Sequence, residues 1–327
     1  MIKIQNGGIE AIVEDWPGRL GYMGLGMAAA GAMDSLALQL GNLLVGNKVG
    51  EAGIEIAGGY FQAEFQEEMI IAITGTDMNS TINDEKVNLW ESIKVNRGDI
   101  LKFSHFGEFG FRSYICVAGG IDVPKYLGSK STCVFGSYGG FEGRRLVPGD
   151  EIKIGKAINK LSSLEGRKLK PEVIPKYSRT WELRAIPGMN SVPDYVTEEG
   201  MDYLFSNEFK ISYSSNRSAY RISEIPSYFF SREDGGKGGS HPSNIVDHGY
   251  NMRGAINICG NTPIILIADG PTLGGYICVA NVINSDLWKI GQGTPSRDYI
   301  KLIYCTRDEA VQARKDRSKM LTEDSLL

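Results

Sequence analysis

Two of the three histidines of this 327-residue chain fall in one polar loop, Asp234-Gly235-Gly236-Lys237-Gly238-Gly239-Ser240-His241-Pro242-Ser243-Asn244-Ile245-Val246-Asp247-His248. Histidine, aspartate and asparagine within a few residues, on a backbone loosened by glycine, suit two tasks. Such a loop can hold a small polar molecule through directional hydrogen bonds, or it can host a general base. An exposed loop with incidental histidines explains the same residues. No metal is expected, because His241 and His248 lack an i, i+4 helical spacing and the chain has no CxxC or HxxxH pair.

A second segment runs Ile264-Ile265-Leu266-Ile267-Ala268-Asp269-Gly270-Pro271-Thr272-Leu273-Gly274-Gly275-Tyr276. Here a buried strand leads into Asp-Gly-Pro and then Gly-Gly, and backbone amides in such a turn can meet a developing oxyanion. A plain strand–turn–strand accounts for it equally well. A third group joins Gly119-Gly120-Ile121-Asp122-Val123-Pro124 to Leu127-Gly128-Ser129-Lys130-Ser131-Thr132 and Gly139-Gly140-Phe141-Glu142-Gly143-Arg144. It lacks the first glycine of GxxxxGK[ST] at its spacing, so it is not a phosphate loop. A fourth pairs Asp15-Trp16-Pro17-Gly18-Arg19-Leu20-Gly21-Tyr22 with Gly31-Ala32-Met33-Asp34-Ser35. Asp34 stands at a helix start, where it can cap the helix or mark an anion-binding end. There is no G-x-S-x-G elbow, and no cysteine has surroundings that would lower its pKa, so triad-type nucleophilic catalysis has weak support.

The elements that must position these segments are mostly strands. Glycine is far above its usual ~7% share, with 41 residues punctuating short apolar runs such as Met69–Thr74, Gly110–Val117, Ile256–Cys259 and Ile264–Ala268. Short β-rich segments at close intervals argue for antiparallel sandwiches or barrels. The spacing predicts one clear helix, capped by Asp34 or Ser35, with Leu36, Leu40, Leu43 and Leu44 on one face and an end at Gly46–Asn47. Shorter helices are predicted from Ser285 or Asp286 through Ile290, and from Tyr195 to Phe205. The Lys-rich stretch between Lys156 and Lys176 marks a boundary. The expected layout is an N-terminal β-domain at 1–156, a linker at 157–178, a C-terminal β-domain at 179–310 and a charged tail at 311–327.

Hydrophobic residues at 42% and charged residues at 23% are ordinary for a folded globular chain. A net charge of -4 without a basic stripe argues against nucleic acid, whose binding rests on clustered cations. No apolar run approaches the ~20 residues of a membrane span, and the N-terminus lacks the features of a signal peptide. The five cysteines are scattered, with Cys116, Cys259 and Cys278 in apolar strand-like segments. That is the usage expected of a cytoplasmic protein.

The segments also occur in a particular order: EDWPGRLGY, GAMDSLALQLGNLLVGN, ITGTDM, RSYICVAGGIDVPKYLGSKST and GGFEGR, then YSSNRSAYRI, DGGKGGSHPSNIVDHGY and GAINICGNTPIILIADGPTLGGYICVANVINSDLWKIGQ. Over roughly residues 10 to 305 this order resembles the allophanate-hydrolase-subunit-2-like family. That family holds the carboxyltransferase portion (subdomains A and B) of urea carboxylase and urea amidolyase, the KipI antagonists and the C component of 5-oxoprolinase. HPSNIVD and DGPTLGG bring it nearer the urea carboxylase branch. The resemblance departs at Ser218-Ala219-Tyr220, at Ala28–Ala30 and at Pro295-Ser296-Arg297-Asp298, which bears on substrate identity rather than fold.

The resemblance implies a mostly β fold of two cyclophilin-like β-barrel subdomains, and a site completed by a subunit-1-like (KipI-like) partner. It implies transfer of a carboxyl group from carboxybiotin to urea or a related small amide. The chain has no Ala-Met-Lys-Met motif, so biotin would be carried on a partner chain and ATP used elsewhere in the complex. The expected partners are then a biotin carboxylase and biotin carrier. The alternative is the C component of an ATP-dependent 5-oxoprolinase, with a LamB/YcsF-like partner, and a further one is a non-catalytic regulator of the KipI-antagonist type. On this reading Asp247, His241 and Asp269 are the catalytic candidates. Asn244, Arg217, Gly274, Gly275 and Asp34 are candidates for binding substrate, and Gly119, Gly120 and Tyr276 for binding the cofactor.

Overall fold

The run Met69–Gly75 is apolar at nearly every position and forms a strand buried on both faces, whereas Phe61–Phe65 alternates and buries only Phe61, Ala63 and Phe65. This difference in period decides which strands lie inside and which face outward. The computed structural model describes residues 1–245 and 252–327. It folds as two units. One takes Met1–Leu20, Ala30–Tyr177 and Arg317–Leu327, and the other Gly21–Ala29 and Ser178–Asp316.

The first unit holds β1 (Ile2–Gly7), β2 (Glu10–Glu14), α1 (Ser35–Leu44), β3 (Gly53–Ala57), β4 (Phe61–Phe65), β5 (Met69–Gly75), β6 (Ser80–Ile82), β7 (Glu85–Lys86), β8 (Ser92–Val95), β9 (Ile100–Phe103), β10 (Arg112–Val117) and β11 (Glu151–Ile152). They make a six-stranded sheet in the order β11-β1-β4-β9-β6-β7 and a five-stranded sheet in the order β2-β3-β10-β5-β8. Ile2, Ile4, Val13, Ile54, Phe61, Phe65, Ile73, Leu101, Phe103 and Ile115 share one core. Helix α1 packs on β5 and β10 and is buried along its whole length. Gly41 allows that approach, since a Cβ there would lie 2.7 Å from Cys116 Sγ. Cys116 is thus a core residue, and burial pushes its thiol well above the ordinary range.

The second unit holds β12 (Thr180–Pro187), α2 (Glu198–Ser206), β13 (Glu208–Lys210), β14 (Ala219–Arg221), β15 (Ala255–Cys259), β16 (Thr262–Leu266), β17 (Cys278–Val282), α3 (Leu287–Gln292) and β18 (Tyr299–Tyr304). One seven-stranded sheet runs β13-β18-β12-β17-β15-β16-β14, antiparallel except where β12 meets β18. The fold is mostly β, as expected, with eighteen strands and four α-helices among the described residues. No described helix is long and apolar enough to cross a membrane.

Two local features differ from the sequence reading. The stretch read as a linker, 157–178, belongs with the first unit through Tyr177. Leu164, Leu169 and Val173 are buried there, and backbone bridges join Lys168 to Glu91 and Leu169 to Leu326. The charged tail after Thr306, which in sequence could fray or form an exposed helix, carries helix α4 (Arg307–Lys319). Helix α2 begins at Glu198, not Tyr195, because Thr197 caps it by accepting from the Gly200 N–H at 2.9 Å.

Candidate functional site

Strands β15 and β16 pair with Asn257 opposite Ile264. On the other edge of β15 a β-bulge falls between Ile256 and Asn257, where it pairs with β17. A bulge of this kind re-aims a side chain. Beside it lies a cavity of about 440 Å³, within the size range of small-molecule sites. The strands supply Asn257, Ile264 and Leu266. The glycine-rich loop supplies Gly238, Asn244 and Ile245, and the turn after β16 supplies Pro271, Leu273, Gly274, Gly275 and Tyr276. The structure therefore brings together four of the residues singled out from sequence: Asn244, Gly274, Gly275 and Tyr276.

Loop and turn are zipped to each other. The Ile245 N–H donates to the Gly275 carbonyl at 2.9 Å, the Ile277 N–H donates to the Ser243 carbonyl at 2.9 Å, and Asn244 bridges Tyr276. The N–H groups of Gly274 and Gly275 bond to no described residue. The loop needs glycine to fold on itself. At Gly239 the backbone has φ +134°, and a Cβ would sit 2.5 Å from Asn244 Nδ2. The Tyr276 phenol is pushed up first by its hydrogen bond with the Cys259 thiol and by that group's charge, with burial adding. It therefore stays protonated through neutral pH.

Other candidates from the sequence hold this pocket in shape without lining it. Arg217 and Asp269 face each other as a buried two-pronged ion pair, Nε to Oδ2 at 3.0 Å and Nη2 to Oδ1 at 3.2 Å. The Asp269 N–H also donates to the Arg217 carbonyl at 2.9 Å. Together these tie the approach to β14 to the start of the Asp269-Gly270-Pro271 turn. His241 Nδ1 accepts from the Ser243 N–H at 3.1 Å, and its ring meets Phe230 edge-on. Arg232 spans the back of the same loop, donating to the carbonyls of Pro242 and Asn244 while lying over the Tyr195 ring. Asp247 lies outside the described residues. Among the described residues no three His, Cys, Asp or Glu side chains gather as a metal would require.

Three further candidates belong to the first unit. Asp34 is fully buried and caps α1, accepting from the Ala37 N–H at 2.9 Å and from the Tyr177 hydroxyl at 3.1 Å. Its own N–H donates to the Tyr114 hydroxyl at 2.7 Å. That hydroxyl donates at 2.6 Å to Glu55, which also accepts from Met33 N–H and from Arg112 Nε. Burial first, then the Glu55 carboxylate, push the Tyr114 phenol well up. Gly119 and Gly120 do not offer amides to a ligand. The Gly119 N–H donates to Asn47 Oδ1 at 2.8 Å and the Gly120 N–H to the Val117 carbonyl at 2.8 Å. Their glycines are required by a close crossing, where a Cβ on Gly119 would lie 2.1 Å from the Gly155 carbonyl oxygen. Nearby, Arg19 is fully buried and donates to the Ser131 carbonyl. The rings of Tyr138 and Tyr126, 4.9 and 5.7 Å from its guanidinium carbon, take the place of further acceptors.

Sequence reasoning missed Asn257. It is 2% exposed, lines the pocket, and its Oδ1 has no hydrogen-bond partner. The available signal was a polar residue inside the apolar run Ile256–Cys259. Among the described residues the lining has no charged side chain.

Residues 25–300 match the family model described as carboxyltransferase domain, subdomain A and B. The chain is 36% identical to a urea amidolyase of Lachancea kluyveri over 99% of its own length and 18% of that protein's. It is 32% identical to the C component of 5-oxoprolinase from Escherichia coli, covering 98% of this chain and 96% of that one. The crystal structure of the K. lactis urea amidolyase superposes with a TM-score of 0.91 at 33% identity, over all of this chain and 20% of that one. The chain thus spans about a fifth of the amidolyases it matches and nearly the whole of the 5-oxoprolinase component.

Proposed function

This chain belongs to the carboxyltransferase subdomain A and B family, and from that premise we propose that it is the carboxyltransferase component of a multi-component, biotin-dependent enzyme acting on urea or a related small amide. The observation that carries this reading is the pocket of the second unit, whose described lining has no charged side chain and is edged by the Gly274 and Gly275 amides that bond to no described residue. Biotin borne on a partner chain would bring the carboxyl group. A ureido head suits the described lining, which combines apolar Ile264, Leu266 and Pro271 with neutral Asn244, Asn257 and Tyr276.

The chain's own work is then orientation and charge stabilisation. The Gly274 and Gly275 N–H groups are pre-placed donors for negative charge that develops on an amide oxygen. Asn244 grips the acceptor, and the Arg217–Asp269 pair keeps the turn in register. ATP is consumed by the other components, and a subunit-1-like (KipI-like) chain completes the assembly.

The C component of a 5-oxoprolinase is the second reading, favoured by the match along 96% of that protein's length. Against it stands the pocket: 5-oxoproline carries a carboxylate, and no described lining residue is cationic. The test is co-purification with the subunit-1-like partner, then ATP-dependent assays on urea and 5-oxoproline with and without a biotin carboxylase and carrier. The expected result is urea-dependent ATP consumption that avidin abolishes. Turnover of 5-oxoproline without biotin would install the second reading. Binding of the partner with turnover of neither substrate would make the chain a non-catalytic regulator.

A further inference from the structure

We infer that Asn257 is the residue that reads the ligand in this pocket, and that it selects molecules presenting a cis-amide edge, an N–H beside a C=O, as urea, a cyclic ureido ring and a lactam do. The inference rests on the preceding reading of the pocket as the reaction site and sharpens what that site accepts.

The argument starts from the cost of leaving a carboxamide unpaired. Asn257 Oδ1 is buried and has no partner, and neither end of the side chain bonds to a described residue. Folds rarely leave such a group unmatched unless something else supplies the match. Its neighbours explain why the fold does not. Across the ladder stands Ile264, which offers no polar side chain, and Leu266 continues the same apolar edge. The bulge at Ile256–Asn257 breaks the regular pairing with β17 at the position where the side chain meets the cavity.

A carboxamide has a donor and an acceptor side by side. Its natural complement is a molecule with the same two groups in reverse order, so that two hydrogen bonds form at once. A cis-amide edge has this arrangement. A carboxylate, an ester or an N-alkylated amide does not, and would leave one end of Asn257 buried and unpaired. The described lining carries no charged side chain, which fits a neutral partner.

The experiment uses the full purified chain and ligand-observed NMR titration, which reports weak affinities. The probes are urea, 2-imidazolidone (the ureido ring of biotin), 2-pyrrolidone (the lactam ring), and 1,3-dimethyl-2-imidazolidinone and γ-butyrolactone as controls lacking N–H. The N–H-bearing probes should bind, and the controls should bind roughly 10-fold more weakly or not at all. Preference for 2-imidazolidone over 2-pyrrolidone would assign the pocket to a ureido ring, and the reverse to a lactam. In Asn257→Leu the discrimination between probes and controls should vanish. Its thermal midpoint should stay level or rise, because an isosteric apolar side chain replaces an unmatched polar one.

Equal binding of dimethylated and unmethylated rings, or no saturable binding of any N–H probe, would overturn the inference. So would an Asn257→Leu chain that unfolds or melts markedly lower, since that would give Asn257 a structural role. Failure here with avidin-sensitive urea turnover intact would leave the proposed function standing. Discrimination by Asn257 without any turnover would leave this inference standing and remove the function.

Discussion

Two buried polar groups, one in each unit, handle their polarity in opposite ways. In the first, Asp34, Tyr114, Glu55 and Arg112 sit at no more than 3% exposure and bond to one another and to backbone N–H groups. In the second, Asn257 is as deeply buried, yet its carboxamide oxygen has no partner. The glycine pairs show the same contrast. Gly119 and Gly120 spend their N–H groups inside the fold, while those of Gly274 and Gly275 bond to no described residue. A closed network rigidifies its surroundings, whereas a buried polar group left unpaired is costly. Spent hydrogen-bonding capacity, not residue type, separates the groups that hold the structure from those that can recognise something.

The sharpest way to break this comparison is to remove one member from the closed network. Glu55→Ala would remove the carboxylate to which the buried Arg112 guanidinium, the Tyr114 hydroxyl and the Met33 N–H donate, and should cost about 3–5 kcal/mol in denaturant unfolding. Asn257→Leu, at the same depth, should change stability by less than about 0.5 kcal/mol or raise it. Equal losses in the two variants would erase the distinction.

The glycines give a smaller effect of the same kind. Gly119→Ala forces a side chain into φ +96° and against the Gly155 carbonyl, and should cost at least about 2 kcal/mol. A Cβ on Gly275 would meet nothing within 4 Å, so Gly275→Ala should unfold within about 0.5 kcal/mol of the parent. Its methyl group would stand at the pocket, and kcat/KM of the reconstituted complex should fall by about 10-fold or more. A Gly275→Ala chain with full activity would remove the turn from the site.

Much of this was written in the sequence, and the remainder has definite physical reasons. Helix α1 was legible because its cap, its leucine face and its closing Gly46 all agree. The strands were legible where apolar runs were bounded by glycine. The 157–178 stretch was not, since Leu164, Leu169 and Val173 follow neither a period of two nor one of 3.6, and the stretch docks through isolated bridges rather than a regular ladder. The loop at 234–248 and the turn at 269–276 were both singled out, and the structure joins Asn244, Gly274, Gly275 and Tyr276 around one cavity. No local pattern could separate Gly119–Gly120 from Gly274–Gly275, because the acceptor that spends the first N–H, Asn47, lies 72 residues away. Asn257 hid as one polar residue in an apolar strand, and its meaning depends on an unpaired atom that only coordinates reveal.

The smallest expected effect comes from an ion pair in each unit. In the second unit Asp286 is nearly inaccessible, and burial is the largest single influence on it, acting upward. The hydrogen bonds from Arg184 and the charges of Lys289 and Arg184 outweigh it, so the carboxyl is held below its ordinary value. In the first unit Arg144 holds Asp150 low through two hydrogen bonds, at 2.7 and 2.9 Å, with the Val147 N–H assisting. A carboxyl whose folded pKa lies below its unfolded value of roughly 4 stabilises the fold above that pH. The stabilisation is lost as pH falls through the lower, folded value. Unfolding free energy should therefore drop below about pH 4, and Asp286→Asn and Asp150→Asn should each flatten that acid limb. The Asp150 change should be the smaller, because the Arg144 guanidinium is 38% exposed and water screens the pair. Denaturant titrations at neutral pH and across the acid limb measure both slopes. An Asp286→Asn variant that kept the parent's full acid slope would mean that burial cancels the Arg184 and Lys289 contacts at that carboxylate.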